Sequence, residues 1–379
     1  MRVPRSTAGP VGKGHPWVFR EPGMEVAAGQ FLRLIDDAGR TVGWGLGDLG
    51  PIAVRVLGRG ELPDDPMAEV ARRLRDADEV RRRTIAGDTD AWRVCHGEGD
   101  GLPGLVIDRY GDHAIVKLYA SGWERWLEPI ASVLLGLPWC RGVSRRLGVR
   151  RVDGDEGLAP VAGAPCPDVI VVSEYGMRML VRPAVGQKTG LFLDQREHRA
   201  LVRRFASGLE VVNLFGYTGG FSLAAALGGA PRVTTVDIAP EAIEDARENF
   251  RLNGLDPARH GFEVADVFAW RPPRPITGML VVDPPSLSHA GGHDAAARKA
   301  YEKLHVGLGP WLLPGAWLAT SSCTARLRFD AWQAAVADGL CAAGGDWSWH
   351  WESGAPTDHP VALVHTEARY LKFGLLRRR

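Results

Sequence analysis

The sequence has no surplus of charge. Its 46 basic and 45 acidic residues leave a formal net charge of +1, so the total does not announce a nucleic-acid partner and any electrostatic footprint has to be local. It has no close pair of cysteines. Cys95, Cys140, Cys166, Cys323 and Cys341 are odd in number and widely spaced, which excludes a CxxC redox pair and argues against a clustered zinc or iron–sulfur centre. Reduced thiols in a cytoplasmic protein are the simplest expectation. No uninterrupted apolar run reaches the length of a membrane span. MRVPRSTAG lacks an apolar segment behind its charges, so no signal peptide is expected. No internal repeat is visible, and no low-complexity tract beyond the final RRR.

What is present is a chain of 379 residues with 47 glycines. That length is too great for one ordinary core and implies two or three domains. The glycine content suits a loop-rich α/β enzyme. Residues 1–62 read as a small β-rich module, with HPWVFR near its start and strand candidates in FLRLIDDAGRTVGWGLGD and PIAVRVLG. Residues 63–182 read as a central α+β block. It has a charged helix over 66–85 begun by Pro66, strands near 105–108 and 114–119, a helix over 123–135 and two strand-like runs meeting at Tyr175-Gly176. RGVSRRLGVRRVDG, 141–154, carries five arginines and is either a solvated loop or a phosphate-contacting surface. From 183 to 379 strands and helices alternate as in a doubly wound sheet. Helices are expected over 194–206, 219–228, 240–253, 295–312 and 328–339. Strands are expected over 210–214, 232–237, 261–265, 278–282 and 315–320, with one or two final strands including 360–365.

VVNLFGYTGGFSLAAALGGA, 211–230, has the form of strand, tight turn and helix. Gly216, Gly219 and Gly220 are expected to let backbone approach a ligand, and the helix start offers free N–H groups. Asp237 ends the second strand about 20 residues on, where an acid accepts ribose hydroxyls in NAD sites and S-adenosylmethionine sites alike. Three details favour the methyl donor. The loop is not GxGxxG; Asp266 follows the next strand; and VVDPPSL puts Asp283 at a fourth strand end, stiffened by two prolines. Cys323 in SSCT follows the fifth strand and is expected at the same sheet edge as Asp283. It reads either as a small buried thiol or as a covalent nucleophile. As a nucleophile it would add to C6 of a cytosine, raise electron density at C5 for methylation, and leave by elimination. Asp283 would hold the cytosine N3/N4 edge, and the base would be looped or flipped out. The proton-removing group is open between Asp194 and an ordered water. Cys95 beside His96 competes as nucleophile but reads as structural. The YEKL segment at 301–304 reads as helix surface.

With these motifs in view, the chain resembles the bacterial 23S ribosomal RNA (cytosine-5) methyltransferases that carry an N-terminal PUA domain. The similarity runs over almost the full length, through HPWVFR, GEGDGLPGLVIDRYGD, GQKTGLFLDQREHR, NLFGYTGGFSLAAALGGA, VDPPSL, SSCT, and DHPV followed by RYLK. It implies a Rossmann-like class I methyltransferase domain over 183–379. Before it come a PUA-like RNA-binding domain over 1–62 and an α+β central domain over 63–182. It implies S-adenosyl-L-methionine as cofactor and large-subunit ribosomal RNA, or its precursor particle, as partner, with no membrane. Cys323 and Asp283 would be catalytic. Asp237 would bind the donor ribose and Asp266 its adenine. Gln187, Lys188, Thr189, Asp194, Gln195 and Arg196 would line or brace the donor pocket. Asn213, Phe215, Tyr217, Thr218, Gly219, Ile238 and Val267 complete the implied set, together with Asp283. Two departures stand out. DPPS has no second cysteine, and Ser286 stands where lysine or threonine is often found. A guanine-N7 methyltransferase on the same scaffold and a non-catalytic RNA-binding assembly protein are the alternatives. A two-fold dimer is the commonest oligomer in general, but no interface pattern is legible.

Overall fold

A computed structural model describes residues 1–85, 87–148, 157–287 and 294–379. The chain forms two compact units. The first comprises Met1–Glu174, Val181–Leu193 and Thr357–Thr366, and the second Tyr175–Leu180, Asp194–Pro356 and Glu367–Arg379.

The first unit opens with a helix, Arg5–Gly12, that carries Pro10 inside it. Strands Trp17–Phe19, Phe31–Ile35, Thr41–Gly47 and Ile52–Gly58 follow. They form an antiparallel sheet in the spatial order first, fourth, third, second. The helix Pro66–Thr84 starts where the Asp65 side chain accepts from the Ala68 N–H, with proline in its first turn. A second sheet pairs Ala91–His96, Leu105–Tyr110, His113–Leu118, Gly142–Leu147 and Gly157–Gly163 in chain order. Only its third and fourth strands are parallel, and the crossover between them holds a 3-10 turn, Ser121–Trp126, and the helix Leu127–Leu135. The expected helix over 123–135 is therefore two pieces. Trp44 and Leu46 of the first sheet share one buried cluster with Leu74, Trp92, Ile107 and Trp123. Each such side chain contributes about 1.5–3 kcal/mol on full burial.

The second unit is a seven-stranded sheet flanked by helices. Its strands are β1 Val211–Leu214, β2 Val233–Asp237, β3 Gly261–Val264, β4 Met279–Val282, β5 Trp317–Ser322, β6 Trp347–Ser353 and β7 Lys372–Arg378. The spatial order is β3-β2-β1-β4-β5-β7-β6. The first five are parallel and β7 runs antiparallel between β5 and β6. Helices α1 Arg196–Phe205, α2 Gly220–Leu227, α3 Pro240–Leu252, α4 Asp294–Leu308 and α5 Phe329–Ala342 complete the unit. The central strands read Val-Val-Asn-Leu and Met-Leu-Val-Val because sheets covered on both faces need near-continuous apolar runs. Strand order reverses at β1, which makes the carboxyl edge of β1 and β4 a topological switch point.

The expected strand over 360–365 is not formed. That segment lies in the first unit as irregular chain, and Leu363 is 91% exposed. Asp358 anchors its start, accepting from the Arg93 N–H at 3.0 Å through its carboxylate and from Arg81 at 3.0 Å through its carbonyl. The last two strands are β6 and β7 instead.

Candidate active site

The turn from β1 into α2 is built on left-handed backbone. Phe215, Tyr217 and Gly219 have φ of 55, 46 and 76°, values that L residues adopt only where the surroundings impose them. Asp237 supplies part of that imposition. Its carboxylate accepts from the Tyr217 N–H at 2.8 Å and from the Ala239 N–H at 2.9 Å, so the tip of β2 holds both the glycine turn and its own exit. The glycines of this turn serve packing. A Cβ on Gly216 would meet the Thr235 methyl at 2.5 Å, on Gly219 the Ala246 Cβ at 2.8 Å, and on Gly220 the Arg199 Cδ at 3.0 Å. The space their missing side chains free is taken by protein.

Beside Asp237 the carboxyl edge is an uncovered apolar wall. Ile238 is 68% and Phe268 58% exposed, and Phe215 meets Phe268 edge-on with ring centroids 5.5 Å apart. Asp266 is exposed, and its carboxylate accepts from the Phe268 N–H at 3.0 Å. Exposed apolar side chains between two carboxylates fit a flat nucleoside with a hydroxylated sugar. Other expected donor residues turn inward. The Asn213 amide donates to Ser222 Oγ at 2.9 Å, the Thr218 carbonyl accepts from Asn249 at 2.8 Å, and Val267 is buried in the unit's core.

Asp283 and Cys323 stand on neighbouring loops that side chains stitch together. Register places Val282 of β4 against Thr320 of β5, so both residues follow strand ends at the same edge. Ser321 Oγ donates to Asp283, and Ser286 Oγ lies 3.2 Å from Thr324 Oγ1. Tyr301 is fully buried on α4 and its hydroxyl lies 3.1 Å from the same Thr324 oxygen. The YEKL segment is thus not plain helix surface. Burial, with lesser contributions from Cys323 and Asp283, pushes the Tyr301 phenol up to about 12. Cys323 itself is a half-buried thiol.

A second line of contacts orients Asp283 from behind. Its carboxylate accepts from Gln195 Nε2 at 2.9 Å. A carboxylate only accepts, so Gln195 turns its oxygen to His198 Nδ1 at 2.5 Å, and that nitrogen carries the proton. His198 Nε2 then accepts from Ser353 Oγ at 3.0 Å. The imidazole is stacked on Phe373 at 4.2 Å, and burial pushes it down to about 3, so it is neutral. Asp194 accepts from the Tyr370 hydroxyl at 2.6 Å, and the buried Arg196 lies 3.4 Å from Glu197. Ser321, His198, Tyr301 and Lys372 receive no individual site role from the sequence. Strand alternation, which puts Ser321 and Cys323 on one face, is the signal that finds the first.

Gln187, Lys188 and Thr189 belong to the first unit. Gln187 is exposed, Lys188 is left-handed at φ 55°, and Thr189 is buried. The Thr189 hydroxyl donates to Asp108 at 2.5 Å and lies 2.8 Å from the Tyr110 hydroxyl. Cys95 is buried and burial raises its thiol far above the ordinary range, consistent with an inert structural role. Most arginines of the helix Pro66–Thr84 are paired with acids, whereas the described arginines of 141–148 meet both acids and carbonyls. Arg72, Arg73, Arg81, Arg82 and Arg83 pair with Glu69, Glu69, Asp100, Asp78 and Glu79, most of them at helical spacing. Arg145 pairs with Glu124, and Arg146 donates to carbonyls at Pro183, Ala184 and Gly186. Arg150 and Arg151 lie outside the described residues. Among the described residues no group of three or more His, Cys, Asp or Glu side chains is placed to hold a metal, and no helix is long and apolar enough to cross a membrane.

Residues 132–326 match the profile of the S-adenosylmethionine-dependent methyltransferases. The chain belongs to this family. Over its length the methyltransferase is similar to curated bacterial relatives. It is 36% identical to a ribosomal RNA large subunit methyltransferase of Deinococcus radiodurans, covering 98% of this chain and 95% of that protein. It is 34% identical to ribosomal RNA large subunit methyltransferase I of Klebsiella pneumoniae, over 94% and 93%. A solved S-adenosylmethionine-dependent methyltransferase from Streptococcus mutans superposes with a TM-score of 0.85 at 23% identity, over all of both chains. The structure of SMU.776, a methyltransferase complexed with SAH, gives 0.86 over 100% and 99%. These two show the fold: a Rossmann-like class I methyltransferase domain preceded in the chain by a β-rich domain. S-adenosylmethionine is the cofactor of this methyltransferase.

Proposed function

We propose that this methyltransferase modifies C5 of a cytosine in large-subunit (23S) ribosomal RNA through a covalent bond from Cys323 to C6. The observation that carries the reading is the pairing of Cys323 with Asp283 on loops joined by Ser321, Ser286 and Thr324. Cytosine C5 is too weak a nucleophile to attack unaided, and a thiol next to an oriented carboxylate answers that need. The names of the bacterial relatives support the RNA class.

In this reading Asp237 holds the donor ribose, and Ile238, Asp266 and Phe268 frame its adenine. The bound donor supplies an electrophilic methyl group on a sulfonium. The Cys323 thiolate forms a bond to C6, and the C5–C6 π electrons move to C5. C5 takes the methyl group, leaving the donor as its thioether. A base removes the C5 proton, those electrons restore the double bond, and the C–S bond breaks to return the thiolate. Asp283, fixed by Gln195 and Ser321, holds the N3/N4 edge of the base. Residues 1–62 would serve as a PUA-like RNA-binding module, 63–182 as the central domain and 183–379 as the methyltransferase domain.

The test uses radiolabelled S-adenosylmethionine with large-subunit RNA, and with large subunits, from a strain lacking the gene. Product nucleosides are identified by mass spectrometry. The expected product is 5-methylcytosine from the native protein and none from Cys323→Ala. Methylguanine from both proteins, or no product on either substrate, overturns the reading.

A further inference from the structure

We infer that Lys372 is a positioning residue for Cys323, its ammonium supplying the counter-charge that holds the thiol as a thiolate. The inference rests on the covalent role of Cys323 proposed above. Pairing of β5 with β7 sets Ser322 opposite Lys372, so the lysine stands at the level where the chain leaves β5 for Cys323. Lys372 is fully buried. Its Nζ donates to the Thr324 carbonyl at 2.6 Å and to the Tyr370 carbonyl at 2.8 Å. The first of these bonds pins the nitrogen to the residue after Cys323.

Both acceptors are neutral, and among the described residues no carboxylate forms an ion pair with Lys372. An ammonium buried without an anion is costly. Burial lowers the lysine to about 8, and the Cys323 sulfur is the group that opposes that fall. The other titratable groups around Cys323 do not serve. Tyr301 is held neutral by burial, and the Lys372 ammonium donates to the Thr324 and Tyr370 carbonyls and not to Asp283. The thiolate of Cys323 is therefore the anion this lysine can answer.

The pairing has a chemical consequence. The thiol proton goes to water and the sulfur attacks as a thiolate. Charge leaves sulfur when the bond to C6 forms and returns when it breaks. A fixed ammonium favours the return, which is the step that releases product. The absent second cysteine in DPPS leaves that step in need of help.

The test reads the thiol directly and uses no RNA. Cys323 is alkylated with iodoacetamide across a pH series, and peptide mass spectrometry separates it from the other four cysteines. The midpoint in the native protein is expected below the ordinary thiol value of about 8.5. Lys372→Met is expected to raise it and to slow alkylation at neutral pH roughly tenfold, and Lys372→Arg to keep it low. An unmoved midpoint in Lys372→Met overturns the inference. Should Lys372→Met not fold, the native midpoint decides: below the ordinary value supports the inference, and at or above it overturns it. The two layers separate. An unmoved midpoint with an inactive Cys323→Ala overturns the role of Lys372 alone. A Cys323→Ala protein that still makes 5-methylcytosine overturns the covalent reading beneath it.

Discussion

Mild acid is expected to destabilise the catalytic unit through two histidines before its carboxylates titrate. His198 and His305 are buried, and burial pushes them down to about 3 and about 4. Each is held as the neutral ring, His198 between Gln195 and Ser353, and His305 between the Tyr301 carbonyl at 2.7 Å and Thr320 Oγ1 at 3.0 Å. A depressed histidine stabilises the fold above its unfolded value of about 6.5 and loses that contribution as pH falls toward the folded value. In that window the unfolded chain binds a proton that the folded chain refuses. The slope is about 1.4 kcal/mol per pH unit and group, so at pH 5 the loss is roughly 2 kcal/mol for each and roughly 4 kcal/mol together. Urea unfolding followed by tryptophan fluorescence at neutral pH and near pH 5 measures it. The double variant His198→Gln/His305→Gln should flatten the dependence. A pH-independent midpoint in the native protein, or an unchanged slope in the double variant, would refute the argument.

Three further outcomes follow from the site. Gly219→Ala places a Cβ on left-handed backbone and within 2.8 Å of Ala246; it should cost about 2–4 kcal/mol in thermal unfolding, and an unshifted melt would count against the packing role. Ser321→Ala removes one of the donors to Asp283 and should lower kcat roughly tenfold with little change in KM; the opposite split would assign Ser321 to substrate binding. Asp237→Asn should weaken S-adenosylhomocysteine binding roughly tenfold to a hundredfold by calorimetry, and equal affinity would remove Asp237 from the donor site.

Local features of this fold were legible and distant ones were not. The strand–turn–helix at 211–227 could be read because its glycine turn interrupts an apolar run. Asp237 and Asp283 could be placed because each ends such a run. The packing role of the glycines was not legible because the Thr235 methyl and Ala246 that crowd them come from other elements. The helix at 5–12 was hidden by two glycines and Pro10 in RSTAGPVG. β7 was missed because KFGLLRR does not alternate, whereas VALVHT does look like a strand but is pinned as a loop by Asp358. Gln195, His198 and Lys372 act through partners 88, 155 and 48 residues away, Asp283, Ser353 and Thr324, and no spacing rule reaches them. The arginine-rich helix was legible only as charged. Its cations look available in sequence until the acids three and four places away are paired with them.

The position of β7 also sets a timetable. β5 is made first, then β6, yet the two do not touch in the sheet, and β7 must arrive to lie between them. At ordinary translation rates that wait lasts several seconds, roughly. During it β5 presents an open edge, and the tryptophan-rich β6 has nothing to pair with. Arrival of β7 closes both edges in one step and delivers Lys372 to the loop that bears Cys323. Under the covalent role proposed for Cys323, the nascent chain would hold its thiol without its cation until the sheet is finished, and the moment of folding would also be the moment at which the nucleophile is armed.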